Sequence, residues 1–143
     1  GFINITQSSK KVVFCGMFSL GSEEVVENGE LKITKEGTGK KFVKAVEQIT
    51  LSGDYAKRRG KPIPFITERG VFILENGKLV LVEIAPGVDL ERDILGMMDF
   101  KPEISPELKS MDKALFQPNW GRLSETLFNR KDSEIVEEVA ATL

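Results

Sequence analysis

Two tripeptides of identical composition, Glu27-Asn28-Gly29 and Glu75-Asn76-Gly77, each stand between apolar arms of strand length. Asn and Gly both accept positive φ, so Asn-Gly is the strongest two-residue signal for a hairpin whose turn matches the twist of its strands. The first arms lie within residues 23–34, EEVVENGELKIT, and the second within 70–84, where residues 70–74 face 78–84. A chain with two such hairpins is committed to antiparallel pairing, whatever else it adds.

The remaining segments fall around that commitment. Residues 11–18, KKVVFCGMF without its first lysine, read as a short buried strand, and residues 42–51, FVKAVEQITL, as another, with a helix the weaker reading. Ile63 to Thr67 begins a strand beside Pro62 and Pro64, while residues 2–9 are ambiguous between helix and strand. Asp89 is placed to cap a helix over Leu90 to Met98, with Glu91 complementing the dipole of its first turn. Ser105-Pro106-Glu107 repeats the pattern and predicts a helix to about Lys113. Phe116 to Arg130 reads as irregular, and residues 132–141 as an amphipathic helix with Ile135, Val136 and Val139 inward. The expectation is one domain over residues 1–143, strands early and helices late, with 116–143 as a tail.

Composition excludes more than it selects. The 143 residues carry 20 Lys+Arg against 22 Asp+Glu, interspersed, which builds no basic stripe for nucleic acid. No apolar run approaches the ~20 residues that span a bilayer, and no secretory pattern opens the chain, so no membrane partner is expected and a cytoplasmic location is. There is no histidine, hence no Ser-His-Asp triad and no imidazole ligand; with Cys15 the only cysteine, no metal site is expected. Cys15 itself reads as a small buried hydrophobe. Acid-base work would fall to Asp, Glu, Lys or Tyr55. The opening Gly1-Phe2-Ile3-Asn4-Ile5 is unusually apolar for a terminus and is expected to be a cut through something larger.

The ordered set Gly1-Phe2-Ile3-Asn4-Ile5-Thr6, KKVVFCGMF, Thr67-Glu68 followed by Val71-Phe72, Glu83-Ile84-Ala85-Pro86-Gly87 and Met98-Asp99-Phe100 with Pro102 resembles the carboxyl-terminal part of a family I coenzyme A transferase. The fused acetate or propionate type, similar to the succinyl-CoA:3-ketoacid transferases, is the nearest match. The resemblance implies an α/β fold of the NagB/RpiA/CoA-transferase-like kind, an open mixed sheet with flanking helices. It implies exchange of CoA between acyl-CoA and a short-chain carboxylate through a glutamyl-CoA thioester, with CoA as substrate and no permanently bound cofactor. It implies as partners the amino-terminal remainder of the same enzyme and further copies in a homo-oligomer.

The nucleophilic glutamate of that family sits in a Glu-Asn-Gly or Glu-x-Gly context, which makes Glu27 and Glu75 tempting. Both read better as hairpin tips, where a carboxylate is hydrated and no donors face its oxyanion. By the family's order of motifs the nucleophile lies upstream of Gly1, so this segment contains no catalytic residue and is expected to be inactive alone. Gly1 is left as a candidate for the oxyanion-binding glycine segment, with Phe2 and Asn4 lining the approach. Glu68 reads as structural, Lys57, Arg58 and Arg59 as a solvated basic loop rather than a phosphate site, and Asp89, Glu91 and Asp93 as helix-capping acids rather than a metal site. Met97, Met98 and Trp120 read as core or subunit contacts. A binding module that reuses the fold, or an acyl-CoA hydrolase, are the alternative functions.

Overall fold

The computed structural model describes residues 1–45, 60 and 62–119. A helix α1 (Phe2–Ser8) is followed by strands β1 (Phe14–Cys15), β2 (Ser19–Leu20), β3 (Glu23–Glu27), β4 (Glu30–Lys35), β5 (Gly39–Lys40), β6 (Ile63–Ile66), β7 (Gly70–Glu75), β8 (Lys78–Ile84) and β9 (Glu103–Ser110). Five of them form a mixed sheet in the order β1-β6-β7-β8-β9. Its centre is antiparallel and its two outer pairs, β1 with β6 and β8 with β9, are parallel.

Both Asn-Gly turns form as their chemistry requires. Asn28 and Asn76 adopt φ of 55° and 53°, and Gly29 and Gly77 take 77° and 79°, so both central residues of each turn lie in the left-handed region. Glu27 faces Glu30 across the first turn and Glu75 faces Lys78 across the second. The ambiguous residues 2–9 resolve to helix, with the Thr6 hydroxyl donating to the Phe2 carbonyl at 2.9 Å.

Phe18, Phe72, Leu81, Ile94 and Met98 form the main core, with Met97 partly buried against it. The rings of Phe18 and Phe42 lie 5.2 Å apart and those of Phe42 and Phe72 4.8 Å, so aromatic packing joins the loops to the sheet. A second cluster, Leu31, Ala85, Met111 and Phe116, holds the β3–β4 hairpin against the sheet. There the Leu31 amide donates to the Pro86 carbonyl at 2.8 Å. Gly87, at φ +85°, permits that approach, because a Cβ on it would stand 2.7 Å from the Leu31 carbonyl oxygen.

Several expected elements differ. Ser105-Pro106-Glu107 opens no helix and lies inside β9, where Pro106 falls between the paired stretches Glu103–Ile104 and Lys109–Ser110. Ile104 and Leu108 pack on the main core from this strand, and that burial outweighs the local capping signal. The predicted strand over 11–18 shrinks to Phe14–Cys15, and at its carboxyl end Glu68 takes the Phe18 amide out of the ladder. Phe42 to Ala45 are not strand, and residues 46–51 lie outside the described residues. Asp89 caps as predicted, accepting from the Arg92 amide at 2.8 Å, but the helix is a single π-type turn, Leu90–Ile94, running into a 3₁₀ turn, Leu95–Met97. Cys15 is exposed, not buried, since a two-residue strand leaves it at the sheet's end. Phe116 ends a 3₁₀ turn that starts at Lys113. The terminal helix over 132–141, Trp120, Tyr55 and the basic residues Lys57, Arg58 and Arg59 lie outside the described residues.

Candidate functional site

The parallel pair β1–β6 ends at Cys15 and Ile66, and crevices beyond the carboxyl ends of parallel strands are where open α/β sheets bind ligands. The ladder runs one residue further, the Gly16 amide donating to the Ile66 carbonyl at 3.1 Å. Then it is diverted. The Phe18 amide meets the Glu68 carboxylate at 2.8 and 3.1 Å, and the Lys41 ammonium donates to the Met17 carbonyl at 2.9 Å. Residues 16–18 are thereby held in place, and Gly16 and Met17 form one wall of an open cavity of about 280 Å³. Phe14, Phe65 and Phe42 supply aromatic surface to it, Met17 a thioether and Lys41 the one charge among the described residues.

The predicted site residues reach this cavity unequally. The Phe2 ring lies 6.1 Å from Phe14, which stacks on Phe65 at 5.1 Å, so α1 touches one of the cavity's lining residues without lining the cavity itself. Phe2 is 55% exposed, too open for a core residue. Gly1 caps α1 and its carbonyl accepts the Ile5 amide at 3.1 Å; among the described residues beyond its chain neighbour, none comes within 4 Å of where its Cβ would stand. Asn4 is exposed, and its carbonyl accepts from the Ser8 hydroxyl. Glu27 and Glu75 are exposed hairpin residues, Glu27 paired with Lys32.

Behind the cavity wall stands a cluster that the sequence did not announce. Arg69 is fully buried, and its guanidinium grips both oxygens of Glu36 at 2.8 Å each, Glu24 at 3.0 Å and the Asp93 carbonyl at 3.0 Å. The Glu68 carboxylate lies 3.5 Å from its Nε, and the Phe18 ring lies beneath it at 5.2 Å. The Arg69 hydrogen bonds hold Glu36 below the usual carboxylate range. Burial pushes Glu68 above that range, and the nearby charge of Glu24 adds to the rise. Only the tandem Glu68-Arg69 hinted at this, because the partners Glu24 and Glu36 are remote in sequence.

Of the acidic trio, Asp93 turns inward. Its carboxylate accepts from the Asp89 amide at 2.9 Å and from the Arg92 fork at 2.7 and 2.9 Å, which hold it below the ordinary value, Arg92 foremost. Asp89, Glu91 and Asp93 thus serve the turn. Among the described residues no cluster of Cys, Asp and Glu is arranged to hold a metal, and no helix is long and apolar enough to cross a membrane.

The chain is 55% identical over 123 residues to a caffeate CoA-transferase of Acetobacterium woodii, a match covering 86% of this chain and 24% of that protein. It is 52% identical over 117 residues to the acetate CoA-transferase YdiF of Escherichia coli strain K12, covering 81% and 22%. This chain is homologous to one quarter of a CoA-transferase. The crystal structure of the YdiF acyl-CoA transferase of E. coli O157:H7 in a thioester complex with CoA superposes with a TM-score of 0.80 at 50% identity, covering 82% of this chain and 23% of that one. Its apoenzyme gives the same TM-score. The mixed sheet is therefore part of the CoA-transferase fold. The chain spans about a quarter of the length of the relatives it matches. No family model matches it.

Proposed function

We propose that the chain is the carboxyl-terminal portion of a CoA-transferase that moves CoA between a short-chain acyl-CoA and acetate or a similar acid. The observation that carries this reading is the identity of about half the residues with two CoA-transferases, one named for caffeate and one for acetate, over most of the chain. In this reading a glutamate outside the chain attacks the thioester carbonyl and expels CoA as thiolate, leaving a mixed anhydride. The thiolate then attacks the glutamyl carbonyl, releases the first carboxylate and leaves a glutamyl-CoA thioester, which a second carboxylate reverses.

The chain's own contribution is a wall. Glu68 and Lys41 hold residues 16–18 in place beside the cavity that Gly16 and Met17 line, with Phe2 against its Phe14. In this reading Gly1, Phe2 and Asn4 line the acyl-CoA approach. CoA enters as substrate, the remaining amino-terminal part of the enzyme supplies the nucleophile, and the assembly is a cytoplasmic homo-oligomer. Expression of the full-length polypeptide and assay with acetyl-CoA and a second carboxylate tests the reading. Transfer that vanishes when the glutamate preceding Gly1 in the family's motif is changed to Gln supports it, and transfer that survives the change refutes the mechanism.

A further inference from the structure

A groove lies between the β3–β4 hairpin, the end of β6 and the turn Lys113–Phe116. Val26, Ile66 and Leu115 line it while standing 49%, 41% and 51% exposed, beside the buried Leu31, Met111 and Phe116. Open aliphatic side chains gathered in one groove mark a surface that something covers. Its charged residues among those described are both acids, Glu68 and Glu83, and Glu83 pairs with no cation among the described residues.

The chain leads its own next segment to this place. Asn119 is the last described residue, three past Phe116. The Gln117 Nε2 stands 2.7 Å from where a Cβ on Gly29 would be, so the chain leaves Phe116 along the hairpin that forms one wall. Residues 120–131, WGRLSETLFNRK, lie outside the described residues and combine Leu123, Leu127 and Phe128 with Arg122, Arg130 and Lys131 against one acid, Glu125. That charge complements the groove. Residues 132–141 carry Asp132, Glu134, Glu137 and Glu138 with no cation, so the same groove repels them. Leu123 follows Phe116 by at most ~25 Å of chain, and so short a tether holds the segment at an effective concentration on the order of millimolar.

We propose that residues 120–131 of the same chain cover this groove, seating Leu123, Leu127 and Phe128 on Val26, Ile66 and Leu115 and bringing their cations to Glu83. The assignment goes beyond the CoA-transfer reading and does not depend on it. Glu68 lines the groove and also holds the Phe18 amide, so the covering segment touches the residue that fixes the loop 16–18.

The test uses the full-length polypeptide with the photoreactive residue p-benzoylphenylalanine in place of the exposed Val26, read without any substrate. Irradiating an equal mixture of light and heavy nitrogen-labelled protein separates links within a chain from links between copies. Peptide mass spectrometry should place most of the cross-linked product within residues 120–131 of the same chain. Joint Leu127→Asp and Phe128→Asp substitution should cut that yield at least tenfold, and Glu83→Lys should cut it severalfold, with the thermal transition of the polypeptide retained. Cross-links that fall instead in residues 132–143, in a second copy or in the amino-terminal part of the enzyme would overturn the assignment. So would the absence of any cross-link, or a yield that ignores both changes. Because the first result comes from the otherwise native sequence, it decides the matter even where a variant fails to fold.

Discussion

Arg69 holds both oxygens of Glu36 at 2.8 Å, a fork-to-fork ion pair between the sheet and the segment that follows the β3–β4 hairpin. The same guanidinium also binds Glu24, so one buried cation ties β3 and the loop after β4 to the start of β7. Removing it strands carboxylates that now face one another. Arg69→Met is therefore expected to cost about 3–5 kcal/mol, read as a shift in the denaturant midpoint of the full-length polypeptide.

Glu68 should make stability depend on pH in the opposite sense to an ordinary surface acid. Its folded value lies above the unfolded 4.5, so the folded state keeps the proton longer and stability falls as pH rises through that interval. Glu36 and Asp93, held low, contribute stability that is present above their unfolded values and lost as pH falls through the folded ones. Comparison with Glu68→Gln isolates the first effect. The stability of the variant minus that of the native protein should increase as pH rises from about 4.5, and a flat difference would show that Glu68 titrates normally.

Gly87 should tolerate no side chain. Alanine there meets the Leu31 carbonyl at 2.7 Å and must hold φ near +85°. The expected loss is about 2 kcal/mol or more, visible as a lower Tm, accompanied by loss of protection of the Leu31 amide in hydrogen exchange.

Asp89 is a cap of ordinary strength. Asp89→Ala removes the acceptor of the Arg92 amide and should cost about 1 kcal/mol, measured by chemical denaturation. A loss several times larger would mean that the acid does more than close its turn.

Glu27 and Glu75 carry the tripeptide that imitates a catalytic motif. Both are exposed at hairpin tips, so on the proposed CoA-transfer reading Glu27→Gln and Glu75→Gln should leave the kcat of the full-length polypeptide within a factor of two, measured in the acetyl-CoA assay.

What the sequence disclosed divides by the range of the forces involved. The hairpins, the Asp89 cap and the family resemblance depend on neighbouring residues, and each could be read from a few letters in a row. Pro106 could not, because its strand is made by Ile104 and Leu108 finding a core built from residues elsewhere. Cys15 was misjudged for a related reason: apolar neighbours in the chain say nothing about how soon Glu68 will end the ladder. The Arg69 cluster is the extreme case, joining residues from four separate stretches. The cavity walls at Phe14, Lys41 and Phe65 likewise come together only through the fold, so no few letters in a row could show them.

Pro106 has one more consequence. On β9 it removes an amide that an incoming strand would need, and Glu103, Glu107 and Lys109 stud the same strand with charge. Both features disfavour a further strand on that side. Among the described residues nothing pairs with the far side of β1, whose two residues end beside the cavity. A strand added at β1 therefore arrives next to the candidate site.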